Sequence, residues 1–148
     1  CVCKMTNYLF PQGRVVSGDK VCLEEVSKLA IAKGALKAQA VAVSGAFHTS
    51  RMQSASDNLK KVLEEVTINE PRIPVISNVT AQPFESKDVI KPMLARQLVE
   101  PVMWENTVKG LIAQGKNKLY ELGPGQQIKS MTKRIDTDAW KAFTNVPV

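Results

Sequence analysis

An apolar run gives way to an amphipathic segment at the sequence VSGAFHTSRM, residues 43–52. The preceding residues 36–43 are rich in alanine and valine, which predicts a strand. Ser50 and Gln53 have the spacing of a capping box, which predicts that Ser50 is the N-cap of the following helix. His48, the only histidine of the sequence, is therefore expected in the turn between strand and helix.

This single histidine has two interpretations. The dipole of a helix that begins just after His48 opposes a second positive charge and favours the neutral imidazole. A neutral imidazole can accept a proton near neutral pH and act as a general base. The alternative is a histidine that only occupies a turn, which is the more frequent case for a lone histidine. Position alone leaves both interpretations open.

Composition limits the class of protein. The 148 residues have the length of one domain, and their 44% apolar and 23% charged content is ordinary for a globular protein. A net charge of +6 favours acidic partners such as nucleic acid, an anionic membrane or an acidic protein. Nucleic acid is not expected, because aromatic residues make up only 5% and no Lys or Arg run exceeds two residues.

The cysteines and the N-terminal sequence suggest a setting. Cys1, Cys3 and Cys22 cannot all pair and lack zinc-ligand spacing, so we expect no metal and a reduced intracellular protein. No signal peptide and no 18-residue apolar stretch occurs, which argues against a secreted or membrane protein. The sequence begins at Cys1 inside a strand-like run, which suggests a piece of a longer protein.

Hydrophobic periodicity predicts two different halves. The first half has the order β-β-α-β, typical of part of a small α+β sandwich. The second half alternates helices with short strands, and a cleft between the halves would lie beside His48. The predicted strands cover residues 1–10, 14–17, 36–43, 75–79 and 118–122 and part of the tail after 135. The predicted helices cover residues 20–33 and 126–135, the segment after His48, a segment ending near 99, and a segment from 104 to 114.

Two further features have a chemical and a plain interpretation. The Gly123-Pro124-Gly125 turn before a helix could hold an anion on free N–H groups, although a simple turn is the more frequent explanation. The carbonyl of Gln97, near a predicted helix end, could hold an imidazole N–H, although water or a following turn could also satisfy it. No GxSxG motif and no convincing cysteine nucleophile accompanies His48.

Four motifs together resemble one enzyme family. They are GAFH (45–48), PVISNVTAQP (74–83), RQLVEPVMWENTV (96–108) and ELGPG (121–125). In this order they resemble the malonyl-CoA:acyl-carrier-protein transacylases of fatty-acid synthesis, whose fold also serves polyketide synthases. The resemblance implies an α/β fold, with residues 1–45 a partial ferredoxin-like small subdomain. Residues 46–148 would then be the C-terminal part of an α/β-hydrolase-like acyltransferase subdomain.

The resemblance also implies site residues. In that family a serine attacks the malonyl thioester, a histidine is the general base, and a backbone carbonyl orients the histidine. By position, His48 matches the base and Gln97 the residue with the orienting carbonyl. Phe47 matches the position that disfavours a 2-methyl branch on the substrate, and Asn7 matches an asparagine near the pantetheine arm.

The family's serine, oxyanion loop and carboxylate-binding arginine should all precede Cys1. The chain is therefore expected to be a C-terminal half that is inactive alone and needs the remainder of its parent chain. Malonyl-CoA as substrate, acyl carrier protein as acidic partner, no cofactor and a cytoplasmic or organellar (plastid or mitochondrial) location follow from the resemblance. The alternatives are a non-catalytic basic α+β module that docks an acidic partner, and a degenerate paralogue.

Overall fold

The computed structural model describes all 148 residues, 1–148, as six helices and four strands. The strands are β1 (Cys3–Phe10), β2 (Gly13–Gly18), β3 (Leu119–Leu122) and β4 (Phe143–Val146). The helices are α1 (Lys20–Ala32), α2 (Gln53–Glu64), α3 (Ile90–Gln97), α4 (Trp104–Ala113), α5 (Gln127–Ile135) and α6 (Thr137–Lys141). Single 3-10 turns at Ser50–Met52 and Lys87–Val89 lead directly into α2 and α3.

Strands β1 and β2 form an antiparallel hairpin, as the alternating pattern predicts. The hydroxyl of Thr6, fully buried, lies 2.9 Å from that of Ser17 across the pair. At the open end of the hairpin, Gly18 packs against the chain before β1, where a Cβ atom would lie only 1.9 Å from the Val2 carbonyl oxygen. Glycine is therefore required at that position.

Backbone contacts join this hairpin to the second half of the chain. The Tyr8 N–H donates to the Val102 carbonyl (2.9 Å), and the Val102 N–H donates to the Thr6 carbonyl (2.8 Å). A salt bridge of 2.9 Å between Arg14 and Glu105 connects β2 with α4. The hairpin thus packs on the start of α4, and a division of the chain at residue 45 stays a prediction.

The parallel pair β3 and β4 organises the C-terminal segment, with α5 and α6 forming the crossover. The buried carboxylate of Glu121 on β3 accepts hydrogen bonds from the Ile128 N–H (3.0 Å) and the Lys129 N–H (3.1 Å). It therefore occupies the first free N–H groups of α5. The chain's own carboxylate takes the place that an external anion could have taken beside the Gly123-Pro124-Gly125 turn.

Two predicted strands are absent. Residues 36–43 form no strand and are all exposed, because no other segment pairs with them. Residues 75–79 contribute only a single bridge between Ile76 and Pro83. There the Ser77 hydroxyl accepts from the Val79 N–H (3.2 Å), and the Ser77 carbonyl accepts from the Ala81 N–H (2.9 Å), so a local turn replaces the strand.

The structure differs from the expectation that all three cysteines are reduced. Cys1 and Cys22 form a disulfide, and only Cys3 is free. The pairing follows from the position of β1 beside the start of α1, where the Val2 N–H donates to the Asp19 carboxylate (2.9 Å). This places the two cysteine Cα atoms 6.7 Å apart, within disulfide reach.

The apolar core is small and the surface is large. Only six apolar residues are buried, and α1 has no buried residue. The accessible surface is 10262 Å². A folded monomer of 16.3 kDa exposes about 7,500 Å². The chain therefore exposes more surface than expected for its mass, and large apolar side chains such as Leu36 and Leu122 are exposed. None of the helices has the length and hydrophobicity needed to cross a lipid bilayer.

Candidate active site

His48 has an unusual backbone conformation. Its φ of 63° lies in the left-handed region, which few residues other than glycine occupy. Such a conformation costs about 1–3 kcal/mol and persists where surrounding contacts fix it. Here the His48 N–H donates to the Leu98 carbonyl oxygen at 2.9 Å. The turn is therefore attached to the end of α3 before any side-chain contact is counted.

Thr49 fixes the turn from the other side. Its side chain is fully buried, and its hydroxyl donates to the Ala46 carbonyl (2.7 Å) and accepts from the Arg51 N–H (3.2 Å). Thr49 is therefore the N-cap of the 3-10 turn that leads into α2, whereas the capping-box pattern predicts Ser50 as the N-cap. The pattern fails because a 3-10 turn precedes α2, which shifts the capped position by one residue.

The imidazole of His48 contacts the same helix end. Nδ1 lies 2.7 Å from the Gln97 carbonyl oxygen and 3.1 Å from the Glu100 carbonyl oxygen. Because carbonyl oxygens only accept hydrogen bonds, these partners assign the ring hydrogen to Nδ1. In the neutral ring the lone pair then lies on Nε2, which can accept a proton.

The electrostatic setting differs from the sequence argument in one respect. The helix that follows His48 has its N-terminal end near the ring, and that end disfavours a positive charge. The structure adds the C-terminal end of α3, whose Gln97 and Glu100 carbonyl oxygens contact Nδ1 directly. The imidazole therefore lies between two opposed helix ends, and the direct contacts are to the negative one.

A bidentate ion pair accompanies these carbonyls. Arg96 Nε and Nη2 donate to the two carboxylate oxygens of Glu100 at 2.6 and 2.9 Å. The hydrogen bond from Arg96 holds the pKa of the Glu100 carboxyl below its usual value, and the pKa of Arg96 is raised in turn. Sequence reasoning missed Glu100 as a site residue. Its i,i+4 spacing from Arg96 and the following Pro101 are the signals that could have identified it.

Buried contacts fix α3 against its neighbours. The Ser56 hydroxyl of α2 donates to the Ala95 carbonyl at 2.8 Å, and both residues are buried. On the other side the Asn78 amide lies 3.5 Å from the Gln97 side-chain oxygen. The Asn78 carbonyl in turn accepts from the Met103 N–H (2.8 Å). The end of α3 that contacts His48 is thus held by α2 on one side and by the segment around Asn78 on the other.

A second ion pair connects α1 to the segment after His48. Arg51 donates to the Asp19 carboxylate from Nε (3.0 Å) and Nη2 (2.8 Å). Hydrogen bonds from Arg51 and from the Val2 N–H lower the pKa of Asp19. The hairpin, the start of α1 and the turn that carries His48 are thereby joined.

Phe47 and Asn7, the other two predicted site residues, are placed differently relative to the contact between His48 and Gln97. Phe47 precedes His48 directly and is 38% exposed. Asn7 is on β1 opposite Val102, and its side chain makes no hydrogen bond to His48 or Gln97. The structure therefore brings His48 and Gln97 together, places Phe47 beside them and leaves Asn7 on the neighbouring strand. The catalytic and binding roles of all four residues stay predictions.

Nothing resembling a metal centre is present. No group of three or more His, Cys, Asp or Glu side chains is arranged to hold a metal ion.

Relatives match nearly the whole chain. No protein-family model matches it. It is 37% identical over 151 aligned residues to the mitochondrial malonyl-CoA-acyl carrier protein transacylase of Mus musculus, covering 99% of this chain and 40% of that protein. It is also 37% identical to the transacylase of Escherichia coli K12, covering 95% of this chain and 46% of the relative. The chain therefore spans less than half the length of these relatives.

Solved structures agree with the sequence comparison. The acyl-carrier-protein S-malonyltransferase of Burkholderia pseudomallei superposes with a TM-score of 0.93 at 32% identity, covering 98% of this chain and 47% of that one. A malonyl-transacylase in complex with a type II polyketide synthase acyl-carrier protein superposes with a TM-score of 0.90 at 33% identity, covering 99% and 46%. These matches confirm an α/β fold, while its ferredoxin-like and hydrolase-like parts stay predictions. By sequence and by fold, the chain belongs to the malonyl-CoA-acyl carrier protein transacylase family.

Proposed function

We propose that this chain supplies the general base of a malonyl-CoA:acyl-carrier-protein transacylase. His48 is the base, and the Gln97 carbonyl is the group that orients it. The observation that supports this most directly is the 2.7 Å contact between His48 Nδ1 and the Gln97 carbonyl, which leaves Nε2 to accept a proton. The nucleophilic serine belongs to a part of the parent protein that these 148 residues do not include.

The proposed reaction has two half-steps. Nε2 takes the serine proton as the serine oxygen attacks the malonyl thioester, and the resulting imidazolium returns the proton to the leaving CoA sulfur. Nε2 then takes the proton of the carrier protein's phosphopantetheine thiol, whose sulfur attacks the acyl-serine, and returns it to the serine oxygen. The carbonyls of Gln97 and Glu100 stabilise the imidazolium that forms in both half-steps.

The two remaining residues have binding roles in this proposal. Phe47, adjacent to the base, crowds a 2-methyl branch and so favours malonyl over methylmalonyl. Asn7 lies near the pantetheine arm of the substrate. Because the relatives include a mitochondrial protein of Mus musculus and a protein of Escherichia coli, we expect a cytoplasmic or organellar location for the parent protein.

The test uses a hybrid protein that adds to this chain the N-terminal part present in its relatives. The N-terminal segment of the Escherichia coli transacylase, up to the start of the matched region, is fused ahead of Cys1. Malonyl transfer from CoA to acyl carrier protein is then measured for this hybrid, for its His48→Ala variant and for the 148 residues alone. We expect transfer by the hybrid, a loss of about 10²- to 10⁴-fold on His48→Ala, and none by the isolated chain.

Besides a folded hybrid that transfers no malonyl group, two results would contradict the proposal. One is an active hybrid whose rate does not change on His48→Ala, which would remove His48 from the chemistry. The other is transfer by the isolated chain above its own His48→Ala control, which would show that the nucleophile lies within these residues.

A second candidate function is docking without chemistry, as in a basic binding module or a degenerate paralogue. The net charge of +6 favours it, because an acidic carrier protein would be attracted. In that case the chain binds acyl carrier protein with an affinity that falls as salt rises, and His48→Ala changes neither binding nor any transfer rate. The hybrid experiment separates the two functions.

A further inference from the structure

The C-terminal turn of α3 presents three carbonyl groups to one residue. The Leu98 carbonyl accepts from the His48 backbone N–H, and the Gln97 and Glu100 carbonyls lie within hydrogen-bond distance of Nδ1. A helix end leaves such carbonyls without intrahelical partners. Their directions depend on the conformation of the few residues that follow the helix.

Glu100 is the last residue of this turn and is held at three points. Its N–H donates to the Arg96 carbonyl at 2.9 Å, its carboxylate receives both arms of the Arg96 guanidinium, and its carbonyl faces the imidazole. Pro101 follows directly and restricts the backbone of Glu100. The side-chain pair and the carbonyl that contacts the histidine are therefore parts of one closed turn.

We propose that Arg96 and Glu100 are positioning residues for His48, because their bidentate pair holds the Glu100 carbonyl against Nδ1 and so keeps the ring hydrogen on that nitrogen. This inference rests on the proposed function in one respect: a ring hydrogen on Nδ1 matters for catalysis only if His48 is the general base. The placement of the ring hydrogen can be measured whether or not the parent protein transfers malonyl groups.

An ordinary surface ion pair is the competing explanation. The Arg96 and Glu100 side chains are 45% and 35% exposed, and pairs of that exposure contribute little to stability. This pair differs from the others on the surface because a backbone atom of one of its members touches the imidazole. A readout at the ring itself therefore distinguishes the two explanations, whereas a melting temperature does not.

The experiment uses the lone histidine as its own spectroscopic probe. Long-range ¹H–¹⁵N NMR spectra of the hybrid protein, assembled so that only these 148 residues carry ¹⁵N and recorded at a pH where the ring is neutral, report which nitrogen carries hydrogen. We expect the Nδ1–H form to predominate in the native chain. Glu100→Gln and Arg96→Met should each raise the Nε2–H population by about two- to fivefold, and the double variant should match the single ones. Arg96→Lys should give an intermediate value, because an ammonium cannot bind both oxygens in a fork.

Matched controls separate positioning from general destabilisation. Asp138→Asn removes the exposed Lys141–Asp138 pair on α6 and should leave the ring spectrum unchanged. Spectra are compared only at temperatures where circular dichroism shows native helix content for each variant. Unchanged tautomer populations in folded Glu100→Gln and Arg96→Lys would overturn the inference. An inactive hybrid with the expected NMR shifts would contradict the proposed function alone.

Discussion

His48 and Thr49 combine two uncommon local features in adjacent residues. A histidine with positive φ is held by backbone and side-chain hydrogen bonds, and the next residue is a buried threonine that caps the turn. Strained residues of this kind occur most often at functional sites. The unusual conformation of His48 therefore coincides with the residue that we propose as the general base.

Thr49→Val tests the cap. The valine keeps the shape of the side chain but leaves the Ala46 carbonyl and the Arg51 N–H without their partner. We expect the free energy of unfolding to fall by about 1–2 kcal/mol in urea titrations. Ser50→Ala is the control, since Ser50 is exposed, and it should change stability by less than about 0.5 kcal/mol. A larger effect at Ser50 would restore the capping box predicted from the sequence.

Phe47→Ala tests substrate selection in the hybrid protein. Removing the ring beside His48 should open space for the methyl branch of methylmalonyl-CoA. We expect the preference for malonyl over methylmalonyl, measured as the ratio of kcat/KM values, to fall by about tenfold. An unchanged ratio would mean that another residue excludes the branch.

The sequence predicted part of this site for definite reasons. His48 was identifiable as the only histidine, and the Gln97 carbonyl as a free acceptor near a helix end. The second carbonyl, from Glu100, was not identifiable, because its direction depends on how the turn closes between Arg96 and Pro101. The positive φ of His48 follows from contacts with residues about fifty positions away, which local patterns do not contain.

At the scale of elements, prediction was best where an element is stabilised by its own periodicity. Helices α2, α4 and α5 and the β1–β2 hairpin occur close to the predicted positions. The apolar residues 36–43 failed as a strand because a strand needs a partner, which hydrophobicity alone does not supply. Helix α6 was missed because five residues are too few to show a period; Asp136 caps it through the Ala139 N–H (2.7 Å).

The contacts between elements should make stability depend on pH. Four carboxyls have pKa values lowered by hydrogen bonds from basic side chains: Asp19, Asp57, Glu100 and Glu105. A folded-state pKa below the unfolded value adds stability that is present above the unfolded pKa and lost as pH falls through the folded one. We therefore expect the free energy of unfolding to decline from about pH 5 downwards.

Glu105 is the most informative of the four. It is only 7% exposed, joins α4 to β2 through Arg14 and pairs with Lys109 within α4. Glu105→Gln should lower stability near neutral pH and flatten the decline in acid, as measured by urea titrations from pH 7 to 3. Asp57→Asn, at an exposed pair within α2, is the control with the smaller effect. Equal slopes for Glu105→Gln and the native chain would exclude Glu105 as a source of the acid sensitivity.

At the scale of the whole molecule, the exposed area exceeds the expectation for this mass by about 2,800 Å². Large apolar side chains such as Leu36, Tyr120 and Leu122 are exposed, the last two on the strand β3. The four motifs predicted the family, but the amount of uncovered surface could be seen only in the structure. An apolar surface of this extent promotes self-association.

The isolated chain should therefore self-associate. We expect light scattering to show oligomers or aggregates at micromolar concentration and a hydrophobic dye to bind strongly. The hybrid with the Escherichia coli N-terminal segment should scatter less and bind less dye. A stable, monodisperse monomer of the 148 residues alone would show that the exposed apolar area carries no cost.

The ion pair between Asp19 and Arg51 links the start of α1 to the turn that carries His48. Arg51 lies three residues after His48, and both of its donor nitrogens are fastened to the residue that precedes α1. A displacement of α1 relative to the rest of the chain would pull on Arg51 and, through the intervening main chain, on the turn that contains the imidazole. A movement of the hairpin and of α1 would therefore also change the position of His48.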